Sequence, residues 1–257
     1  MAALAGFGRR RALWLLAWLA AVLFTSPALA ETPFAHWAAV IVSGDDRSAH
    51  VDAPTETFDN ARRDVARALV ARGFTPANIA QFSVEPDQHP DTRPGLATLP
   101  AIAVGLRRLA AQAPDGCLVY LTSHGSPDGA VLGDWLIPPR SLARLIGGAC
   151  GGRPTVAVIS ACFSGVFVPA LKGPNRLVLT AARRDRSSFG CGESDRYPFF
   201  DGCILESLPA SADFMALATR TRACVARRER EEGMSPPSEP QTAIGARFHS
   251  PRFGSTG

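Results

Sequence analysis

An α/β domain built on a mostly parallel sheet, with helices over both faces, is the fold class this sequence predicts. Three observations carry the expectation. Short runs such as WAAVIVS, CLVYLT and TVAVIS are almost wholly apolar, the pattern of strands buried on both faces. Segments with helical spacing of apolar residues lie between them. Turn formers close most of these runs, which marks the element ends.

Taken in order, the run from Trp37 to Ser43 is the first strand, bounded by Gly44-Asp45-Asp46. Residues 60–73 (NARRDVARALVARG) place Val65, Leu69 and Val70 at helical spacing, with Gly73 as the C-terminal cap. A second strand is expected over 80–84, a loop rich in Pro, Asp and His over 85–94, and a helix over 99–113. The third strand spans 117–122, followed by a turn-rich hairpin around 125–133 and a helix over 139–146. Strands at 155–160 and 176–180 come next, then a polar loop and helices over 199–207 and 212–231. A tail rich in Pro and Ser begins at about residue 233, and AIGARF within it suits an edge strand. No internal repeat is present.

Residues 1–30 combine Arg9, Arg10 and Arg11 with a short apolar run and an Ala28-Leu29-Ala30 cleavage motif, the pattern of an export signal. The expected mature chain, residues 31–257, forms one domain and is exported, to a periplasm or the medium, with no stable membrane association; an uncleaved membrane anchor is the rival reading of the leader. Subtracting the leader's three arginines from a net charge of +4 leaves +1. A nearly balanced charge argues against a nucleic-acid partner, which needs a basic face to neutralise phosphates. Six cysteines (117, 150, 162, 191, 203 and 224) suit disulfides in an exported chain. Cys191 and Cys203 flank a polar loop and are the first pair to test, although connectivity is open. If Cys162 stays a thiol, at least one further cysteine is unpaired.

Two strand ends carry the chemistry. The third expected strand stops at Ser123-His124-Gly125, and the fourth stops at Ala161-Cys162. Active sites of open α/β sheets gather beyond the carboxyl ends of the strands. If the two strands are neighbours, about 4.8 Å apart, the imidazole can take the thiol proton and leave a thiolate nucleophile. Gly125 lets backbone N–H groups approach a substrate carbonyl. Each residue alone also suits a buried cysteine or a turn histidine. His36, His50, His89 and His249 lack metal-ligand spacing, so neither metal nor cofactor is expected. No Gly-x-Ser-x-Gly elbow, phosphate loop or dinucleotide glycine pattern occurs. Asp134, the nearest acid after His124, reads as a turn residue.

SACFSG at 160–165 resembles the Glu-Ala-Cys-Glu-Ser-Gly of legumain-like cysteine peptidases. TSHGS at 122–126 is similar to their Thr-Asp-His-Gly-Ser, and RSSFGC at 186–191 to their segment with a Ser-Ser pair before an aromatic residue and a cysteine. The resemblance implies a caspase-like α/β/α sandwich with a mostly parallel six-stranded sheet. It makes Cys162 the nucleophile, His124 the general base, and the backbone N–H groups of Gly125 and Cys162 the oxyanion donors, with a peptide or protein as substrate. It places Asn60, Ser160, Ser187 and Asp201 around the pocket for the residue before the scissile bond. The family's pocket arginine falls at Asn60, and its acids flanking the cysteine fall at Ser160 and Phe163. A pocket with no evident cation is expected to reject aspartate and to accept asparagine or a basic side chain. Three readings stand side by side: an endopeptidase, a transamidase using the same dyad, and a non-catalytic interaction module on the same fold. Oligomeric state is open.

Overall fold

The computed structural model describes residues 2, 32–49, 51 and 53–254. Apart from Ala2, the export signal expected over residues 1–30 lies outside the described residues, as do Glu31 and His50.

Five strands form the body of the sheet: β1 (Trp37–Ser43), β2 (Ile79–Ser83), β4 (Gly116–Thr122), β8 (Thr155–Ser160) and β9 (Arg176–Thr180). Two edge strands complete it, β3 (Gly95–Leu96) and β10 (Gln241–Ile244). The order is β10-β9-β8-β4-β1-β2-β3, parallel throughout except for β10, which runs antiparallel to β9. The sheet thus has seven strands where six were expected. The extra one is β3, whose two exposed residues follow the 85–94 loop and carry no apolar run.

Side chains alternate across the pleat, so each central strand feeds two cores. Ile41, Tyr120, Val158 and Leu179 face one layer of helices: α1 (Thr57–Ala71), α5 (Phe199–Ser207) and α6 (Phe214–Glu231). Val40, Val119, Ile159 and Val178 face the other: α2 (Leu99–Gln112), α3 (Pro139–Cys150) and the short α4 (Val168–Leu171). Helix α1 starts three residues before its expected start, and Gly73 follows its end at φ +101°, a left-handed value that glycine adopts without strain. Helix α3 runs a full turn beyond residue 146, through Gly147 and Gly148, because Cys150 at its end is bonded to Cys117 of β4. Asp213 caps α6 by accepting from the Met215 and Ala216 N–H groups, which fixes the helix start two residues later than expected.

The second disulfide joins Cys203 of α5 to Cys224 of α6. It corrects the expected Cys191–Cys203 pair. Cys203 lies on the face of α5 that packs against α6, whereas Cys191 is a free, buried thiol in the loop before α5. The hairpin expected after β4 is a small three-stranded sheet, β5 (Gly125–Ser126), β6 (Gly129–Leu132) and β7 (Trp135–Ile137). Asp134 sits in the turn between β6 and β7, beside Gly133 at φ +59°. Among the described residues, no helix is long and apolar enough to cross a membrane.

Candidate active site

Strands β4 and β8 are parallel neighbours whose last registered pair is Thr122 and Ser160. His124 and Cys162 each lie two residues beyond that pair, at the same edge of the sheet. The chain also changes direction here: β1 leads outward to β2, and β4 returns on the other side of β1. Such a switch point leaves a crevice between the loops that follow neighbouring strands. His124 and Cys162, past the ends of β4 and β8 next to that point, line one cavity of about 220 Å³, both half-buried.

The histidine is held from two sides. Its ring stands edge-on to Phe58 of α1, with centroids 5.0 Å apart. Its Nε2 lies 2.9 Å from the carbonyl oxygen of Arg47 in the loop after β1. That loop is shaped by Asp45, whose carboxylate accepts from the Asp46 and Arg47 N–H groups at 2.8 and 3.1 Å. Burial raises the pKa of Asp45, an effect partly offset by the Arg47 N–H and by the nearby His124.

Cys162 sits where β8 turns sharply. Phe163, the next residue, has φ 57°, a left-handed value that is strained for a side chain of this kind, and its N–H donates to the Arg186 carbonyl at 2.8 Å. The loop of residues 186–188 thereby folds over the thiol. The Ser188 N–H donates to Cys162 Sγ at 3.2 Å, and the Ser188 hydroxyl lies 3.5 Å away. Gly125 packs on the Cys162 backbone so closely that a Cβ there would lie 2.3 Å from the Cys162 carbonyl oxygen. Gly165 serves the same loop: a Cβ there would lie 2.4 Å from the Arg184 nitrogen.

The four expected pocket residues separate. Ser160 and Asp201 are buried and meet, with Asp201 also accepting from the hydroxyls of Tyr120 and Thr122. Burial lifts the Asp201 carboxyl to about 6 against those hydrogen bonds. Ser187 is exposed, and the thiol's partner is its neighbour Ser188. Asn60 lies on α1, where its side chain accepts from Arg63. None of the four lines the cavity with Cys162. Arg62, two residues on from Asn60, is fully buried and bound to Asp59 at 2.6 Å and to Gln81, so it supplies no cation to a pocket beside Cys162.

The sequence reading missed the Arg47 carbonyl, Ser188, and the cavity walls supplied by Phe189, Phe199 and Met234. Cys191 also lines the cavity. Burial pushes its thiol well up, with Cys162 and Asp201 adding to the rise. Among the described residues, no group of three or more His, Cys, Asp or Glu side chains could hold a metal ion.

Comparison with known proteins bears on the fold and on the stretch that holds these residues. No curated protein matches the chain. The crystal structure of caspase-1 from Spodoptera frugiperda is similar at a TM-score of 0.59 and 16% identity, covering 83% of this chain and 88% of that one. At that identity the likeness is one of fold. The Peptidase C13 family model matches residues 100–204. The stretch holding His124 and Cys162 is therefore a match to the Peptidase C13, or legumain, family, set in a caspase-like α/β fold, and the function it supports is of the cysteine-peptidase type.

Proposed function

We propose that the chain is an exported cysteine endopeptidase working through a Cys162–His124 dyad. The observation that carries this reading is the register: both residues stand two positions past the Thr122–Ser160 pair and line one cavity. A carbonyl oxygen can only accept, so the Arg47 contact favours a hydrogen on Nε2 of His124 and leaves the lone pair on Nδ1. Nδ1 takes the Cys162 proton, and the thiolate, supported by the Ser188 N–H, attacks the scissile carbonyl carbon. The oxyanion that forms is met by backbone N–H groups of Gly125 and Cys162. Collapse of this intermediate breaks the C–N bond, with the imidazolium giving its proton to the departing amine. The remaining thioester is attacked by water, which gives its proton to His124. A carboxylic acid leaves, and the thiol is restored. Export is supported by the leader-like residues 1–30 and by two disulfides, Cys117–Cys150 and Cys203–Cys224, of the kind that persists in oxidising compartments.

Labelling with an acyloxymethyl ketone probe, followed by mapping of the modified residue, tests the dyad. Cys162 is the expected site, and Cys162→Ala should abolish both labelling and turnover. His124→Ala should slow turnover by about 10²–10⁴-fold, the usual worth of a positioned base. Labelling at Cys191, or wild-type turnover in either variant, would overturn the assignment.

A further inference from the structure

We propose that the cavity beside Cys162 selects a basic side chain, lysine or arginine, in the residue preceding the scissile bond, and that Glu232 and Asp195 are the selecting residues. The inference rests on the reading of Cys162 as nucleophile. The acyl half of the substrate stays bonded to that sulfur, so the cavity the sulfur lines is the one its side chain meets first.

The walls and the charges of this cavity differ in kind. Phe189, Phe199 and Met234 give it apolar sides, suited to the methylene stem of a long side chain. Asp195 and Glu232 add two carboxylates, and no lysine or arginine lines it. Asp195 is fixed in place: its Oδ2 accepts the Gly192 N–H at 2.7 Å, and its carbonyl takes the Thr57 hydroxyl at 2.7 Å. Among the described residues, neither carboxylate is in an ion pair. The nearby Arg228 lies over the Phe199 ring, 5.8 Å from its centroid, and reaches toward Glu206 at 3.9 Å instead.

The position of Glu232 is a separate clue. It is the C-terminal cap of the 18-residue helix α6, whose last turn carries Arg228 and Arg230. A helix ends in unpaired carbonyls and a partial negative charge, so basic residues stabilise that end and a carboxylate opposes it. Local helix stability thus gives no account of an acid there. An acid that fills a cation-binding pocket does, because the helix end adds its own negative potential to that of Glu232 and Asp195. A substrate aspartate would meet like charge from all three sources. Asp201, the acid expected in this role, is fully buried and already bound by hydroxyl groups.

The test uses peptide substrates that differ only in the residue before the bond: arginine, lysine, glutamine, asparagine or aspartate. The mature protein should cleave the arginine and lysine peptides with kcat/KM at least about tenfold above the glutamine peptide. Glu232→Gln and Asp195→Asn, the latter keeping an acceptor for the Gly192 N–H, should each cut the arginine-to-glutamine ratio by about three- to tenfold, as expected for loss of one partly exposed charge partner. A preference for aspartate or asparagine, no charge preference, or a ratio unmoved in both variants would overturn the proposal. An acyloxymethyl ketone with a neutral side chain keeps the two readings apart. Labelling at Cys162 without basic preference sinks the selectivity alone, whereas absence of labelling sinks the nucleophile itself.

Discussion

Replacing Gly125 by alanine adds one methyl group at the tightest backbone contact in the site. Its Cβ would lie 2.3 Å from the Cys162 carbonyl oxygen and 3.0 Å from the Ala161 side chain. Ordinary contact between such atoms is well above 3 Å, so the two loops must part by about 1 Å. Overpacking of this kind costs about 1–3 kcal/mol, which a domain with a core on each face of its sheet survives. The catalytic cost is larger in proportion, since a displacement of about 1 Å in a reacting geometry lowers rates by about 10²-fold. It acts here on both sides at once, because the same contact sets the spacing of His124, Cys162 and the N–H groups proposed to meet the oxyanion. The expected result is a folded protein whose kcat falls about a hundredfold while its melting temperature drops by about 2–12 °C. Steady-state kinetics beside a thermal melt measures both quantities. If Gly125→Ala turns over within twofold of wild type, the close packing of these loops does not set the catalytic geometry.

Asp201 gives a prediction about pH. A carboxyl held at about 6, against 3.8 in the unfolded chain, binds its proton more tightly when folded. The stability it contributes is therefore complete below about 3.8 and lost as pH rises through 6, by about 3 kcal/mol in all. Asp201→Asn cannot titrate and leaves one hydroxyl without its acceptor, so it should be the weaker protein at pH 4 and gain on wild type by about 2.4 kcal/mol by pH 7. Urea titrations of both proteins at the two pH values check this, and a constant difference would show that the carboxyl is not perturbed. The disulfides make the third case: Cys203→Ala with Cys224→Ala opens a link spanning 21 residues and should cost about 3 kcal/mol on the chain-entropy account. A melt unchanged in that double variant would contradict it.

The strand ends were legible because a strand buried on both faces shows as an unbroken apolar run. Its end is marked where a polar residue or glycine intrudes, and β1, β8 and β9 fall where the sequence puts them. The placement of His124 and Cys162 at one edge of the sheet followed from that, since each lies two residues past the matching ends of neighbouring strands. The pocket did not follow. Ser187 and Ser188 differ by one position in an irregular loop, where no periodicity says which of them turns toward the thiol. Glu232 and Met234 line the cavity from the C-terminal end of α6, and no local pattern encodes where a helix ends in space. The cysteine pairing failed for a related reason. Cys191 and Cys203 are close in sequence, but the disulfide follows the packing of α5 on α6.

The cysteines also differ in what a solvent-borne reagent can reach. Both disulfides have cysteines at most 3% exposed, one pair in each of the two cores, while Cys162 is half-buried and opens into the cavity. Thiol exchange depends on access as well as on thiolate chemistry. A mild reductant should therefore free an oxidised Cys162 long before it opens either crosslink. Thiol buffers should keep Cys162 reduced without loosening the frame, and thiol titration under native conditions should count Cys162 well ahead of the buried Cys191, the other free thiol.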